Sequence, residues 1–485
     1  MSTNFYANEV EVREQRLGTI KSYMGTGTDL TRQGCAGCLK DGKRCFNSTA
    51  YCSHTTALLD ISVILDVVLI DHGPVGCSSG IVNWNVNFQF LAQFSGISSC
   101  RIKVISTNLN ESDTILGATE KLKDAVALAY KRYKPAAIFI LSTCVSSIIG
   151  EDINGVVGDL EKEVGIPVGF VGCAGLRSHI WATGFDASKH AIINTLLRNK
   201  PPSPQKSNLV NYIDFFAQSR PVVERYLAAI DLEPRYFCAY SKVEDYDHIH
   251  EAVATTGICS VLSSYLAAYL EEKYQIPYMK ESFGLAGVDS FKKWYLDIAR
   301  VVGREKDALD FFNADSEKYT NTIAELKKRL KGVRAVISLG QGFAFDVARL
   351  VGEFGVDVVH VNAHHFDPVF DAFVGDAHTR FESDVETSIS DIQHYETYKL
   401  LQKHRPDIYI GRVHAGQNYA FPLGIPSISL SGADTFGFDG IVAAGNLILE
   451  NLGNKNMFKK ISARVQSGFS KQFEDSKVFS LIEVE

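Results

Sequence analysis

The chain has 485 residues, 46% of them hydrophobic, and a formal net charge of −7 at pH 7. Its length predicts several domains, because one hydrophobic core rarely serves more than about 300 residues, and its negative charge argues against nucleic-acid binding. The opening residues are polar and charged rather than signal-like, and no unbroken apolar run approaches the roughly 20 residues of a membrane helix, so we expect a cytoplasmic protein without a membrane span.

The first predicted feature is a cysteine-rich stretch near the N-terminus. A cytoplasmic chain with ten cysteines is not expected to use them as disulfides. Cys35, Cys38 and Cys45, followed by Cys52, resemble the ligand spacing of a zinc or small iron–sulfur site. With Cys52 assigned to another site below, the other three are left as a zinc knuckle, a capping loop over a shared cluster, or free thiols.

An apolar run at residues 58–70 predicts a buried segment, which leads into the turn His72-Gly-Pro-Val-Gly-Cys77. One interpretation is a surface turn with an incidental thiol. The other is a tight turn that presents a thiolate, because glycines let the backbone approach a bulky inorganic cluster closely.

Farther along, strand, helix and strand signals alternate four times. This alternation predicts an α/β fold with parallel sheets covered by helices. The predicted units lie at residues 136–171, 209–241, 335–362 and 407–431. In open sheets of this class, ligands gather at the carboxyl ends of the strands.

Composition also predicts domain boundaries. The run NKPPSPQKSN at residues 199–208 is typical of a linker, and a charged helical region at 316–331 closes a second domain. We therefore expect an N-terminal cysteine-rich extension, a cluster-binding α/β domain, a second α/β domain that carries Cys238, a third α/β domain and a C-terminal tail. Their predicted ranges are 1–51, 52–200, 201–332, 333–458 and 459–485.

Four cysteines fall at the predicted strand ends, namely Cys77, Cys144, Cys173 and Cys238. A thiolate at such a position binds soft metals well, although a buried, packed cysteine is the alternative for each of them. Cys259, within a stretch predicted as helical, is expected to pack.

Cys52, Cys77 and Cys144 form a set of three, and three thiolates cannot complete the four cysteine positions of an ordinary cubane cluster. If they bind one cluster, its other ligands come from elsewhere, and a second subunit is the natural supplier.

Five phrases then carry a resemblance to a known family. HGPVGC, STNLNESDTILGATEKL, YKPAAIFILSTCVSSIIGEDI, EEKYQIPYMKESFG and GFDG resemble the α-type subunit of the nitrogenase superfamily, in order from about Cys52 to Gly440. Any one phrase is a weak signal, and the order and spacing of all five are a strong one.

The resemblance implies three doubly wound, Rossmann-like domains with parallel sheets and an α2β2 heterotetramer with a β-type subunit. It implies a P-cluster-type iron–sulfur cluster (8Fe–7S) shared between subunits, whose α-type ligands correspond to Cys52, Cys77 and Cys144. It also implies a larger inner iron–sulfur cofactor of the FeMo-co or NifB-co type, held by Cys238.

The sequence departs from the nitrogen-fixing pattern at the inner site. Residues 427–436, SISLSGADTF, contain no histidine where the family has a cofactor ligand, and Gln417 stands at the position of a lysine near the organic acid. The segment SSGIVNWNVNF lacks the expected arginine. His414 is the candidate replacement ligand, and His179, His364, His365 and Gln417 are candidate cavity residues, each with an ordinary loop or hydrogen-bonding role as its alternative.

The resemblance predicts a nitrogenase-like oxidoreductase subunit that accepts electrons from an ATP-hydrolysing iron protein. No GxxxxGK[S/T] loop occurs in the chain, so nucleotide hydrolysis is expected in that partner. Because the nitrogenase-type ligands are altered, we expect a methylthio-alkane reductase with an iron-only inner cofactor, which cleaves a carbon–sulfur bond and releases methanethiol. The alternatives are an iron- or vanadium-type nitrogenase α subunit, a cofactor-assembly scaffold, and a metal-free α/β protein.

Overall fold

The structure is a computed structural model, which describes residues 3–35, 51–94, 96–97, 100–202, 206–215, 217–279, 286–368, 383–411, 416–430 and 435–475. Its strands are β1 Ser22–Thr26, β2 Val67–His72, β3 Val104–Ser106, β4 Ala137–Ser142, β5 Val168–Val171, β6 Leu209–Asp214, β7 Glu233–Cys238, β8 Ala254–Gly257, β9 Arg334–Leu339, β10 Asp357–Ala363, β11 Glu386–Ser390, β12 Ile408–Gly411 and β13 Ser427–Ile428.

Its α-helices, in chain order, are α1 Arg13–Arg16, α2 Gly27–Cys35, α3 Ser53–Ser62, α4 Ile81–Phe94, α5 Glu111–Leu116, α6 Thr119–Tyr133, α7 Cys144–Ile148, α8 Ile153–Val164, α9 Thr183–Ile192, α10 Arg220–Ala228, α11 Ser260–Tyr274, α12 Val288–Val301, α13 Glu305–Leu330, α14 Gln341–Glu353, α15 His394–His404, α16 Gly416–Ala420, α17 Gly437–Gly453, α18 Lys455–Ser462 and α19 Lys471–Asp475.

The chain divides into two compact units. The first comprises Met1–Arg16, Tyr51–Arg220 and Asp231–Tyr278, and the second comprises Leu17–Ala50, Pro221–Ile230 and Met279–Glu485. Parallel sheets covered by helices form both units, which confirms the predicted α/β fold class. The five predicted ranges remain a prediction.

The first unit contains two parallel sheets, a four-stranded one in the order β3-β2-β4-β5 and a three-stranded one in the order β7-β6-β8. Every residue of β2 and β4 is buried, as expected for continuous apolar strands covered on both faces. Helices α6 and α8 contribute Leu122, Val126 and Leu160 to the core on one side of this sheet.

The second unit is built on a six-stranded sheet in the order β1-β11-β10-β9-β12-β13. All neighbouring pairs are parallel except β1, which runs antiparallel to β11 at one edge. Residues of β9, β10, α14 and α17 share one core, including Ile337, Val361, Phe345 and Ile441.

Two sequence-based expectations differ from the structure. The apolar run at residues 58–70 is not one segment, because it contains the end of α3 and most of β2. Residues 255–257, at the start of the stretch around Cys259 that is predicted as helical, belong to β8, and α11 starts only after Cys259. Both stretches are mostly buried, and hydrophobic periodicity does not separate helix from strand there. Among the described helices, none combines the length and apolar character that a membrane crossing needs.

Candidate functional site

The turn after β2 positions Cys77. Strand β2 ends at His72, and Cys77 lies in a single 3-10 turn, Val75–Ser78, where its backbone N–H donates to the carbonyl of Pro74 at 3.0 Å. Gly73 is required by packing, because a Cβ atom there would clash with the side chain of Thr143. The Thr143 hydroxyl donates to the carbonyl of His72 at 3.0 Å, so the Cys77 turn is held against the loop after β4.

That loop presents Cys144 as the first residue of α7. Thr143 is the N-cap residue, and a capping box joins its side chain and backbone to those of Ser146. Because the cap and the turn after β2 share Thr143, the backbones that carry Cys77 and Cys144 are fixed to each other.

Cys52 reaches the same place from the start of α3, where it is the N-cap residue. A Cβ atom on Gly175 would lie 3.1 Å from Cys52 Sγ and 3.4 Å from Cys144 Sγ, so the two sulfurs flank one point. Burial raises the pKa of Cys77 to about 11, with further contributions from Asp71 and from thiolate charge at Cys144 and Cys52. The structure therefore brings the three cysteines together from three separate segments.

This donor set fits an iron–sulfur cluster. A raised pKa keeps the Cys77 thiol protonated in the absence of a cation, whereas bound iron deprotonates a coordinating thiol and compensates its charge. Gly175 lets the backbone lie against two of the sulfurs, where a Cβ atom would come within 3.1 Å of Cys52 Sγ and 3.4 Å of Cys144 Sγ. Cys52, Cys77 and Cys144 are each partly exposed, so another chain can reach the same space.

Cys173, the remaining strand-end cysteine of this sheet, has a packing role. It is fully buried, its Sγ donates to the carbonyl of Ser142 at 3.5 Å, and its backbone N–H donates to the Ser142 hydroxyl at 3.1 Å. Burial raises the pKa of its thiol well above the ordinary value. It ties the loop that carries Gly175 to β4.

Large apolar side chains are exposed beside the three cysteines. Val75 precedes Cys77 by two residues, Ile148 ends the helix that Cys144 begins, and Leu176 follows Gly175; the last two are each 70% exposed. Helix α4, which follows the Cys77 turn, exposes a stripe at four-residue spacing, Val82, Val86 and Phe90. Apolar patches of this kind mark protein interaction sites.

Cys238 occupies a different setting, at the end of β7. Its backbone is left-handed, with φ at 76°, and its side chain is fully buried. Burial raises the pKa of this thiol to about 12, against the opposing influence of the neighbouring Lys189. A thiolate there requires a positive partner, which Lys189 or bound metal supplies.

Lys189 and Asp60 were not identified from the sequence. Both are completely buried, and the ammonium of Lys189 donates to Asp60 Oδ2 and to the sulfur of Cys238. Burial alone would lower the pKa of Lys189, but Asp60 and Cys238 raise it overall. The sequence feature that could have identified this pair is a lysine, between Ser188 and His190, within the buried helix α9.

Of the other predicted site residues, the structure describes the surroundings of three histidines and Cys259. His179 is exposed, and its backbone N–H donates to Glu14 Oε1 at 2.6 Å. His364 and His365 are buried directly after β10, and Cys259 is buried as expected. His414, Cys38 and Cys45 lie outside the described residues, as do the side chains of Cys35 and Gln417.

Comparisons with known proteins agree with the fold. A family model described as nitrogenase component 1 type oxidoreductase matches residues 52–452. A solved structure described as nitrogenase Cp1 at pH 5 covers 86% of this chain and 90% of its own, with a TM-score of 0.71 at 21% identity. At that identity the likeness concerns the fold alone.

Two curated relatives come from Clostridium pasteurianum. The nitrogenase iron-molybdenum cofactor biosynthesis protein NifE is 28% identical over 389 residues, which cover 77% of this chain and 80% of that protein. The nitrogenase molybdenum-iron protein alpha chain is 28% identical over 309 residues, which cover 61% of this chain and 55% of that one. The match therefore spans little more than half of the alpha chain.

Proposed function

Because the chain belongs to the family of nitrogenase component 1 type oxidoreductases, we propose that it is the α-type subunit of a nitrogenase-like reductase. It binds its share of a P-cluster-type 8Fe–7S cluster through Cys52, Cys77 and Cys144. The observation that carries this proposal is the convergence of these cysteines: Cys52 and Cys144 both lie against Gly175, and both raise the pKa of Cys77.

A β-type subunit supplies the remaining ligands and covers the exposed apolar side chains, in an α2β2 assembly. Three cysteines leave a cluster incompletely ligated, and Val75, Ile148 and Leu176 stand beside those cysteines exposed to solvent. An incomplete ligand set at an apolar surface supports a cluster shared across that surface.

The electrons come from an ATP-hydrolysing iron protein, since the sequence has no phosphate-binding loop of its own. A larger inner iron–sulfur cofactor would be held by Cys238, with His414 as the candidate second ligand. The two clusters supply low-potential electron transfer and a metal surface for reduction. Lys189 orients the Cys238 sulfur and balances its charge before the cofactor is bound.

The proposed substrate class is the methylthio-alkanes. Two electrons and two protons convert R–S–CH3 into R–H and methanethiol, with cleavage of the R–S bond. The sequence changes around the inner site, Gln417 and the histidine-free segment 427–436, support an iron-only cofactor rather than a molybdenum–homocitrate one.

The test is turnover by the anaerobically purified complex, supplied with its iron protein and ATP. Methanethiol released from a methylthio-alkane, with loss of the product when Cys77 or Cys238 is changed to serine, is the expected result. Iron content below about four atoms per chain would contradict a two-cluster enzyme. The same elemental analysis is expected to find neither molybdenum nor vanadium.

A second candidate function is a scaffold for cofactor assembly, which holds a precursor cluster and passes it on. The observation in its favour is the 28% identity to NifE, over 77% of this chain and 80% of that protein. A scaffold would transfer its cluster to an apo-acceptor and would show no sustained methanethiol release. Reduction of dinitrogen to ammonia would instead indicate an iron- or vanadium-type nitrogenase.

A further inference from the structure

A group of three potential metal ligands lies in the second unit, away from every cysteine discussed above along the chain. His360 lies in the middle of β10, Glu386 begins β11, and His404 ends α15. Glu386 Oε1 is 3.0 Å from His360 Nδ1 and 3.1 Å from His404 Nε2. One ligand atom from each of the three residues lies within 4.8 Å of the other two.

The far side of the His360 ring is fixed by a polar network. His360 Nε2 is 2.8 Å from the Ser388 hydroxyl, which lies 3.0 Å from Asn362 Oδ1. The amide orientation of Asn362 follows from the backbone carbonyl of Ser390, which can only accept and faces Asn362 Nδ2 at 3.5 Å. The Ser388 hydroxyl therefore donates to Asn362 and accepts from His360.

This network orients the ring of His360, with Nε2 toward the Ser388 hydroxyl at 2.8 Å and Nδ1 toward Glu386 Oε1 at 3.0 Å. The ring is completely buried. His360 Nδ1 and the Glu386 carboxylate therefore face each other at a distance that one bound metal ion can bridge.

A cation already stands beside the carboxylate. Lys403 Nζ donates to Glu386 Oε1 at 2.8 Å and to Oε2 at 2.7 Å. Its side chain is 43% exposed, whereas that of His404 is 11% exposed and that of His360 is not exposed at all. Lys403 can therefore swing into solvent while the two imidazoles stay in place.

We propose that His360, Glu386 and His404 form a binding site for a divalent first-row transition metal, with Lys403 as the competing cation that occupies the carboxylate when no metal is bound. Two imidazoles and one carboxylate are a ligand set that zinc and ferrous iron accept. Metal–ligand bonds of about 2.0–2.1 Å place neighbouring ligand atoms roughly 3.0–3.4 Å apart. The distances from Glu386 Oε1 to His360 Nδ1, 3.0 Å, and to His404 Nε2, 3.1 Å, both lie in this range.

Three further features suit a metal. Ser388 and Asn362 provide the second layer of hydrogen bonds that orients a ligating imidazole. His404 is the last residue of α15, whose negative dipole end favours a cation. Three protein ligands leave a coordination position for water, at a carboxylate that is 31% exposed.

Zinc is the probe for the test, because it does not belong to the iron clusters. The full complex is dialysed against buffered Zn²⁺, and zinc and iron per chain are measured for the wild type, His404→Gln and Lys403→Gln. We expect the wild type to hold one zinc more than His404→Gln, with nitrogen and oxygen neighbours in its X-ray absorption spectrum. Lys403→Gln should bind zinc about tenfold more tightly or better, because a competing positive charge is gone.

The two variants move in opposite directions, which a purely structural cluster would not produce. Equal zinc in the wild type and His404→Gln, or a zinc spectrum with sulfur neighbours alone, would overturn the proposed site. Unchanged affinity in Lys403→Gln would overturn the competing role of Lys403. Iron content should stay the same in all three proteins. If His404→Gln fails to fold, the Lys403→Gln variant still tests the proposal, because it removes only a half-exposed side chain.

Discussion

At the scale of single residues, two glycines determine whether the three cysteines meet. Gly73 lets Thr143 pack against the backbone after β2, and Gly175 lets Cys52 and Cys144 lie against the same point of the backbone. Neither glycine has a left-handed backbone angle. Each is required because neighbouring atoms come too close for a side chain, not because of backbone strain.

Gly175→Ala is expected to lower the iron content per chain. The added methyl group would lie 3.1 Å from Cys52 Sγ, where a cluster has to approach. The matched control is Gly158→Ala in α8, whose Cβ would meet nothing within 4 Å. It should keep full iron and gain roughly 0.5–1 kcal/mol, because alanine is the better helix former. Iron analysis measures the iron content of the two variants, and chemical unfolding measures their stability. Equal iron content in the two variants would contradict the role of Gly175.

A single buried histidine predicts a pH dependence. His190 Nε2 faces the carbonyl of Ala7 at 2.8 Å, and Nδ1 faces the Tyr265 hydroxyl at 2.9 Å, so a neutral ring satisfies both partners. Burial lowers the pKa of His190, although the bond to Ala7 opposes the shift. The unfolded chain therefore takes up the proton first as the pH falls.

The contribution of His190 to stability is present above its unfolded pKa of about 6.5 and is lost as the pH falls toward the lower folded value. We expect the thermal midpoint of the wild type to drop between about pH 7.5 and pH 5.5. His190→Gln should show a smaller drop over the same interval. An identical drop in both proteins would show that other groups cause it.

At the scale of elements, the short helix α7 sets the position of Cys144 through its cap. Thr143 accepts from the backbone N–H of Ser146 and donates to His72, so one hydroxyl serves both the helix and the Cys77 turn. A cap of this kind contributes about 1 kcal/mol.

Thr143→Val is expected to lose about 1 kcal/mol of unfolding free energy and, in addition, part of the iron. The control is Asp152→Ala, which removes the N-cap of α8, where Asp152 Oδ1 accepts from Gly155 at 2.9 Å. Its loss of stability should be similar, with full iron retained. Iron loss in both variants would mean that general destabilisation, rather than the position of Cys144, controls cluster binding.

The elements themselves were predicted well where turn residues separate them. Residues 136–142 and 168–171 correspond to β4 and β5, and 209–216 corresponds to β6, because glycine, proline and polar residues punctuate these stretches. The failures, 58–70 and 255–257, lie in mostly buried stretches. There the choice between helix and strand is made by contacts with distant segments, such as the packing of α3 on α9.

At the scale of the whole molecule, the exposed stripe on α4 is the surface that we assign to the β-type subunit. Val86→Glu should weaken the association of the two subunits at least about tenfold, because the carboxylate would be desolvated in the interface. Leu128→Glu on α6, at a side chain that is 48% exposed, is the control and should leave assembly unchanged. Size-exclusion chromatography of the co-purified subunits measures the result, and equal assembly by both variants would remove α4 from the interface.

Local sequence patterns were enough to predict the α/β class, the order of most strands and helices, and the positions of Cys77, Cys144 and Cys238 beside strand ends. These features depend on local signals, namely the length of an apolar run, its period and the turn residues around it. The motifs in their order also determined the family, since they extend over most of the chain.

Which side chains share a site became clear only from the folded chain. The meeting of Cys52, Cys77 and Cys144 depends on Gly175, far from two of them along the chain. The pairing of Lys189 with Asp60 and the grouping of His360, Glu386 and His404 join segments with no common local pattern. The physical reason is that buried charge and ligand geometry depend on distances through space, which strand pairing and helix packing set and which spacing along the chain does not encode.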